Sequence, residues 1–375
     1  VTGIPESHVL ITATHAHTGP ELSHRGARDA FTEALVGGNP LASDYTASLP
    51  ERIAESVRLA DAARTNAQLS LATGRCEGLA YNRRFFMRDG SVGWNPGKLN
   101  PDIVLPAGVT DPELAVLLVE PPHAPAALPP AYAAFINFAM HPDTTGGARI
   151  SADFPGALAR RIGDYHGEGC VTLFANGTCG NINHLDVSWA RVQSSPQESR
   201  RIATILAAAV FQAEKSLRPV PPAPLRVRSE IVPLPLPSVT EAEVAQAGLD
   251  ARTAKDSTRE GFMKLVRAFK VLDVAAREGR PLEVEVQVIA LGDEVAWVSL
   301  PGEVFVELGL AIKQRSPFRA TLIAELANGS IGYIPDRRAF AEGNYEAVSA
   351  RCAPGGGELL VDAAVKLLRE LHDAR

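Results

Sequence analysis

Two histidines one residue apart, His15 and His17 in HVLITATHAHTGPE, follow directly on an apolar run. In an extended chain residues i and i+2 point to the same side. His-x-His at a strand end therefore presents two imidazoles to one small volume. Imidazole is a frequent metal ligand and suits zinc; the plain alternative is a pair of loop histidines, one stacked and one solvated. A third histidine, His141 in NFAMHPDTTGG, ends another apolar run, and Pro142 stops it. Open α/β sheets place ligands at such strand ends, although a packed histidine accounts for the pattern too. A hydrolytic zinc site needs further protein ligands and an open position. Glu303, after the Pro-Gly turn of VSLPGEVFVEL, is the carboxylate candidate. It is expected to open a helix, where the dipole alone would account for a glutamate. The long Gly-rich loop LANGSIGYIPDRRAFAEGNYEAVSARCAPGGGE carries Tyr333 and Tyr345. Long irregular loops are usually functional. A phenolic oxygen can bind a metal or face an oxyanion; a half-buried tyrosine with a wet hydroxyl is the ordinary alternative.

The elements that must position these residues alternate along the chain. Apolar, β-branched runs predict strands at 8–14, 69–74, 115–121, 133–140, 170–176, 283–291, 294–300 and 320–326. Apolar spacings of three and four predict helices near 42–64, 155–167, 195–217, 240–278, 303–315 and 357–373. Several strands are apolar throughout, as expected when both faces of a sheet are covered. The fold class that follows is α/β, a layered mixed β-sheet flanked by helices, in one domain over 1–375. The proline-rich stretch 216–244 reads as a crossing within that domain, with edge-strand character in LRVRSEIVPL. The helical stretch 240–279 is a candidate lid or side layer. Its charged helix reads most simply as a solvated face with a core stripe, or else as a wall of an acyl-chain groove.

Composition excludes several classes. Lys+Arg of 37 against Asp+Glu of 43, with no Lys/Arg-rich run, offers no surface for tracking phosphates, so nucleic acid is not an expected partner. The longest apolar stretches, AYAAFINFAM and IATILAAAVF, fall short of the roughly 20 residues a spanning helix needs. Cys76, Cys170, Cys179 and Cys352 are scattered, which argues against a thiolate zinc or redox motif. They read as packing cysteines, with one or two disulfides left open. The first residue, Val1, suggests a chain already under way.

Taken together, ITATHAHTGPE, LAYNRRFF, NFAMHPDTT…ISADFPG, FANGTCGNINH, PGEVFVELG and NGSIGYIPD…AEGNYEA resemble, in their order, the motifs of the neutral ceramidase family. The resemblance runs from about residue 8 to 360. It implies the fold of that family's catalytic domain and one zinc ion per chain held by His15, His141, Glu303 and Tyr333. It places His17 where it handles the proton of the attacking water, and Arg83 and Tyr345 at the substrate amide and its developing oxyanion. The family's two tyrosines are twelve residues apart, as are Tyr333 and Tyr345. The implied activity is hydrolysis of a linear N-acyl amide, ceramide-like or of another acylated amine, with a lipid-like or small-molecule substrate. The resemblance also leans towards an extracytoplasmic location.

The chain departs from the family in places. A substrate-binding serine is replaced by Gly177, between Asn176 and Thr178, which puts ceramide itself in doubt. His184 stands where proline is usual. The resemblance is to a short member, expected to lack the immunoglobulin-like C-terminal domain, with strands expected to be missing before Thr2. Asn176-Gly-Thr and Asn328-Gly-Ser are sequons inside site segments, so glycosylation there is not expected. His8, His24, His123, His166 and His372 match no pattern and read as surface or packing residues. Two rivals remain: a metal-dependent amidohydrolase barrel acting on a different small amide, and an inactive homologue acting as a binding protein. Oligomeric state stays open.

Overall fold

The apolar runs pair into two sheets, seen in a computed structural model that describes residues 2–23, 39–122 and 131–374. His24 and His123 lie outside the described residues. The first sheet has the order Arg218–Pro219, Gln68–Arg75, Glu113–Glu120, Ala133–Phe138, Val171–Asn176; only its last pair is parallel. The second has the order Leu225–Leu234, Leu282–Leu291, Val295–Ser299, Ala320–Ala324, again with only the last pair parallel.

Alternation along each strand sorts side chains into three cores. Leu114, Val116 and Leu118 face the helices Asp153–His166 and Pro196–Glu214. Ala115 and Leu117 face the other sheet, meeting Val295, Ala320 and Leu322. Ala296 and Val298 turn outward to the helices Val306–Arg315 and Gly356–Asp373. The result is a four-layer helix–sheet–sheet–helix sandwich, and it explains why the central strands read as apolar on both faces. The expected layered α/β class is what the chain adopts.

The proline-rich crossing contains the edge strand Leu225–Leu234, where Pro233 costs least because only one side is paired. The stretch 240–278 forms two helices, Glu241–Thr253 and Arg259–Ala275, packed on each other through Ala247, Ala251, Ala268 and Val271. All four cysteines are buried and free, so no disulfide forms.

Two expectations need correction. Residues 8–14 are not a strand: they make a single antiparallel bridge, Thr12 to Ala327. They meet the second sheet only past the end of Ala320–Ala324, where there is room for one rung. Glu303 does not open a helix. It lies in the two-residue strand Glu303–Val304, paired in parallel with Tyr333–Ile334, and the helix starts at Val306. The Glu303 amide donates to Gly332 O at 2.9 Å and the Phe305 amide to Ile334 O at 3.1 Å, which keeps this stretch extended. The helix dipole therefore does not explain Glu303.

The two sheets are also tied by a polar link. Asn137 Nδ2 donates to Ala175 O and to Ile323 O, each at 2.8 Å, inside the core. Asn137→Ala would leave both carbonyls short of a partner and is expected to cost about 1–3 kcal/mol. Urea unfolding checks this; an unchanged midpoint would mean that the link is redundant.

Candidate functional site

His141 anchors the site. It is fully buried, and its Nδ1 lies 2.7 Å from Cys179 O and 2.9 Å from Ile182 O. Carbonyl oxygens only accept, so Nδ1 carries the proton and Nε2 presents a lone pair. That lone pair faces a carboxylate oxygen, Glu303 Oε2, at 3.1 Å. His15 Nε2 lies 3.2 Å from the same oxygen, and His17 Nε2 lies 3.4 Å from His15 Nε2. The ligand atoms of His15, His17 and His141 fall within 4.8 Å of one another.

The electrostatics fit a cation at this point. Burial, followed by the charge of Arg83, pushes His141 down to about 4, so its ring is neutral at pH 7. A neutral His141 with its proton on Nδ1 cannot donate to Glu303. Two acceptors at hydrogen-bond distance need something positive between them. Burial raises the Glu303 carboxyl, but the imidazoles beside it, with His15 as the one able to donate, outweigh burial and hold the group well below the usual range. Burial also opposes protonation of His15, and the Glu303 hydrogen bond more than offsets it, so the net direction is upward. His15 thus takes the proton where no metal is bound. Lone pairs from two or three imidazoles and one ionised carboxylate form a donor set suited to a metal ion.

The chain brings these residues together by backbone pairing. Glu303 and Tyr333 are direct partners in the short parallel ladder. Tyr333 is buried, and burial pushes its phenol up, with the Arg83 charge opposing and the Glu303 charge adding to the rise. The His-x-His segment is sewn to the His141 loop: His17 N donates to Pro142 O at 3.3 Å, and the Thr18 and Thr145 hydroxyls meet at 3.2 Å. Asp153 fixes that loop by accepting from Thr144 and Thr145, which accounts for the spacing in HPDTT…ISADFPG. Gly180 allows the loop 176–182 to pass against Glu303, because a Cβ there would strike the Glu303 carbonyl. His15 itself has φ 66°, so a kinked backbone, not strand alternation, aims its ring.

Other expected site residues are placed differently. Arg83 is buried; Nε donates to Glu346 Oε1 at 2.9 Å and Nη2 to Gly180 O at 2.7 Å, with the guanidinium 5.3 Å from the Tyr333 ring centroid. It supports Tyr333 and offers substrate no open face. Arg84 turns the other way, to Glu342, Glu346 and the Phe305 ring. Tyr345 is half-buried beside Tyr333, ring centroids 5.3 Å apart. Asn176, Gly177 and Thr178 are all buried. Asn176 Nδ2 holds Thr14 O at 3.1 Å, and Thr178 packs on Gly309. Asn176 Oδ1 stays buried without a hydrogen-bond partner. His166 pairs with Glu214 and His372 packs edge-on to Phe318, both outside the cluster.

Sequence reasoning missed three buried groups. Glu346 is shared by both arginines, and its only signal was its place after Tyr345. His184 donates from Nδ1 to Asp143 at 2.7 Å and from Nε2 to Gln193 O at 2.6 Å. Both partners are acceptors, so this ring is an imidazolium, fixed beside the His141 loop. Glu325, a charged residue ending an apolar strand, accepts from Cys179 N and Val304 N at 3.0 Å each and from the Cys179 thiol.

No family model and no curated protein matches the chain. Solved structures do. The crystal structure of neutral ceramidase from Pseudomonas aeruginosa superposes with a TM-score of 0.70 at 18% identity, over 98% of this chain and 62% of that one. A structure of ceramidase complexed with C2 gives 0.71 at 18% identity, over 99% and 63%. The fold is that of the neutral ceramidases. The chain spans just under two thirds of the ceramidase chains it matches. The amidohydrolase barrel does not fit, since the strands of the described residues form open sheets and no closed eight-stranded ring.

Burial pushes the Glu325 carboxyl up from 4.5 to about 8. A native pKa above the unfolded one stabilises the protein below the lower value, and this is lost as pH rises through the upper one. The metal-free protein is therefore expected to lose stability between pH 4.5 and 8, and Glu325→Gln to flatten that slope. Denaturant midpoints across this range provide the check, and an unchanged slope in the variant would reassign the titrating group.

Proposed function

We propose that the protein is a zinc-dependent hydrolase of linear N-acyl amides. The observation that carries this is the lone pair of His141, locked towards the ionised Glu303 carboxylate with no proton available between them. His15, His141, Glu303 and Tyr333 would hold the zinc. Bound there, the ion supplies Lewis acidity, polarising a carbonyl and lowering the pKa of a water towards roughly 7.

The remaining chemistry belongs to side chains of this chain. His17 is exposed, and burial of its ring edge, then the His15 charge, lower its pKa, so it is neutral at pH 7 and able to accept a proton. The same nitrogen can return that proton to the leaving amine. Tyr345, half-open to solvent, donates to the developing oxyanion. Arg83 holds Tyr333, through which its charge reaches the reacting centre. The ceramidase likeness, together with the ordered motifs, favours an acylated amine over an ester or peptide. A Cβ at residue 177 would lie 3.0 Å from Ala139 Cβ. A side chain there would fit only if Ala139 gave way by a few tenths of an ångström, and glycine itself offers a substrate hydroxyl no side-chain partner. The amine half of the substrate need not be a sphingoid base.

Metal analysis of protein purified without added metal is expected to find about one zinc per chain, lost in a His15→Ala/His141→Ala double variant. A protein that neither retains nor takes up zinc would refute the centre. His17→Ala is expected to keep zinc and fold while losing about 100-fold or more in kcat on whichever N-acyl amide the wild type cleaves. An unaffected rate would remove His17 from proton transfer, and a zinc-loaded protein inert to every acyl amide would point to a binding role.

A further inference from the structure

The hydroxyl of Tyr345 is useful only if its ring is aimed, and its own helix, Tyr345–Ser349, is too short to do that. The ring is held from outside. Trp94 stacks on it with centroids 4.1 Å apart and planes at 29°. Phe262, on the helix Arg259–Ala275, lies 6.2 Å from Trp94 at 11° and 5.7 Å from Tyr345. Arg259, on the same helix, donates to Trp94 O at 2.7 Å and sets its guanidinium 5.5 Å from the indole.

The backbone of Tyr345 is tied to the same strand. Asn344, at φ 72°, accepts from Tyr345 N at 2.8 Å and donates from Nδ2 to Val92 O at 2.6 Å. That strand, Val92–Trp94, pairs with Arg84–Met87, and Arg84 is the direct partner of Trp94. One hairpin thus grips the residue at both ends, its strand holding the Tyr345 main chain and its indole holding the ring. Arg84, on the facing strand, adds a bond to Glu346. The indole Nε1 is buried and has no hydrogen-bond partner. Its polar atom therefore does not account for tryptophan at 94, and its stacking face does.

We propose that Trp94 is the positioning residue for Tyr345, clamped in turn by Phe262 and Arg259, so that the helical pair 241–275 sets how Tyr345 meets the substrate. This rests on the reading of Tyr345 as an oxyanion donor. The structure thereby gives the helical pair a specific task at the site.

The test combines kinetics with a probe that needs no turnover. Trp94→Ala should lower kcat about tenfold or more with KM changed less than about threefold, and Trp94→Phe, which keeps a ring face and lacks the unpaired N–H, should recover most of the loss. Zinc content should not change. The Trp94→Ala/Tyr345→Phe double variant should be no slower than Tyr345→Phe alone, because the two act as one unit. In protein carrying 3-fluorotyrosine, the ¹⁹F signal that disappears in Tyr345→Phe should be narrow in the wild type and in Trp94→Phe, and shifted or broadened in Trp94→Ala. An unchanged kcat, additive losses or an unmoved ¹⁹F signal in Trp94→Ala would each overturn the proposal. Should the wild type cleave no acyl amide, the functional reading fails by itself, and the ¹⁹F signal alone decides the positioning.

Discussion

The site depends on a two-atom constraint: Nδ1 of His141 is surrounded by carbonyl oxygens, so Nε2 can only offer a lone pair. Everything around it accommodates that fact. Glu303 is brought to the lone pair by main-chain pairing, and its carboxylate cannot be satisfied there by a neutral imidazole. His15 supplies a proton in the absence of a cation, and a cation would release it. A buried, ionised carboxylate without a counter-charge is costly, so this cluster makes physical sense as a cation-binding cradle. As an apolar core element it would be a liability.

Distant parts of the chain supply the pieces because each sheet ends in a parallel pair. Ala133–Phe138 with Val171–Asn176, and Val295–Ser299 with Ala320–Ala324, run in the same direction, and the loops at their C-terminal ends carry His141, residues 176–182, Glu303 and Glu325. Asn137 ties the two pairs to each other inside the core. The fine placement is left to very short ladders, two residues each, at Glu303–Val304 with Tyr333–Ile334 and at Tyr81–Asn82 with Ile182–Asn183. Beneath them sits the buried triad Arg83, Glu346 and Arg84, with the charge on Glu346 met from both sides. Removing one member of such a group leaves an unpaired buried charge, which makes the triad a rigid support for both tyrosines.

The large elements were legible because their signal is local. Seven of the eight expected strands and all the expected helical stretches lie where periodicity puts them, with the 240–278 stretch broken in two. The apolar character of 8–14 misled, since those residues pack as an extended strip against Ala175, Ala324 and Ala327 through Leu10, not as a ladder. Glu303 misled for a different reason. Its sequence context, Pro-Gly before and a helical pattern after, says nothing about a partner thirty residues on. Two-residue ladders leave no periodic trace, and neither does a buried glutamate that is paid for by arginines more than 250 residues away. The histidines were visible as candidates, but the tautomer that makes His141 a ligand is a property of the loop 179–182, which only the folded chain places beside it.

Fold and function separate at the substrate. A neutral-ceramidase fold at 18% identity fixes the scaffold, and scaffolds host varied chemistries. The cluster of imidazoles and carboxylate is a donor set that could hold a cation. The 176–178 segment is buried and closely packed. Gly177 sits against Ala139, and Asn176 Nδ2 donates to Thr14 O while its Oδ1 is buried without a hydrogen-bond partner. A pocket that discriminates by a hydroxyl must place a polar partner for it, and leaving such a partner unmatched is what makes discrimination strong. In this stretch the acceptor left unmatched is Asn176 Oδ1. Beside Tyr345, Trp94 and Phe262 present ring faces in place of hydrogen-bonding groups. Ring faces favour shape and apolar area, whereas an unmatched buried acceptor favours a donor.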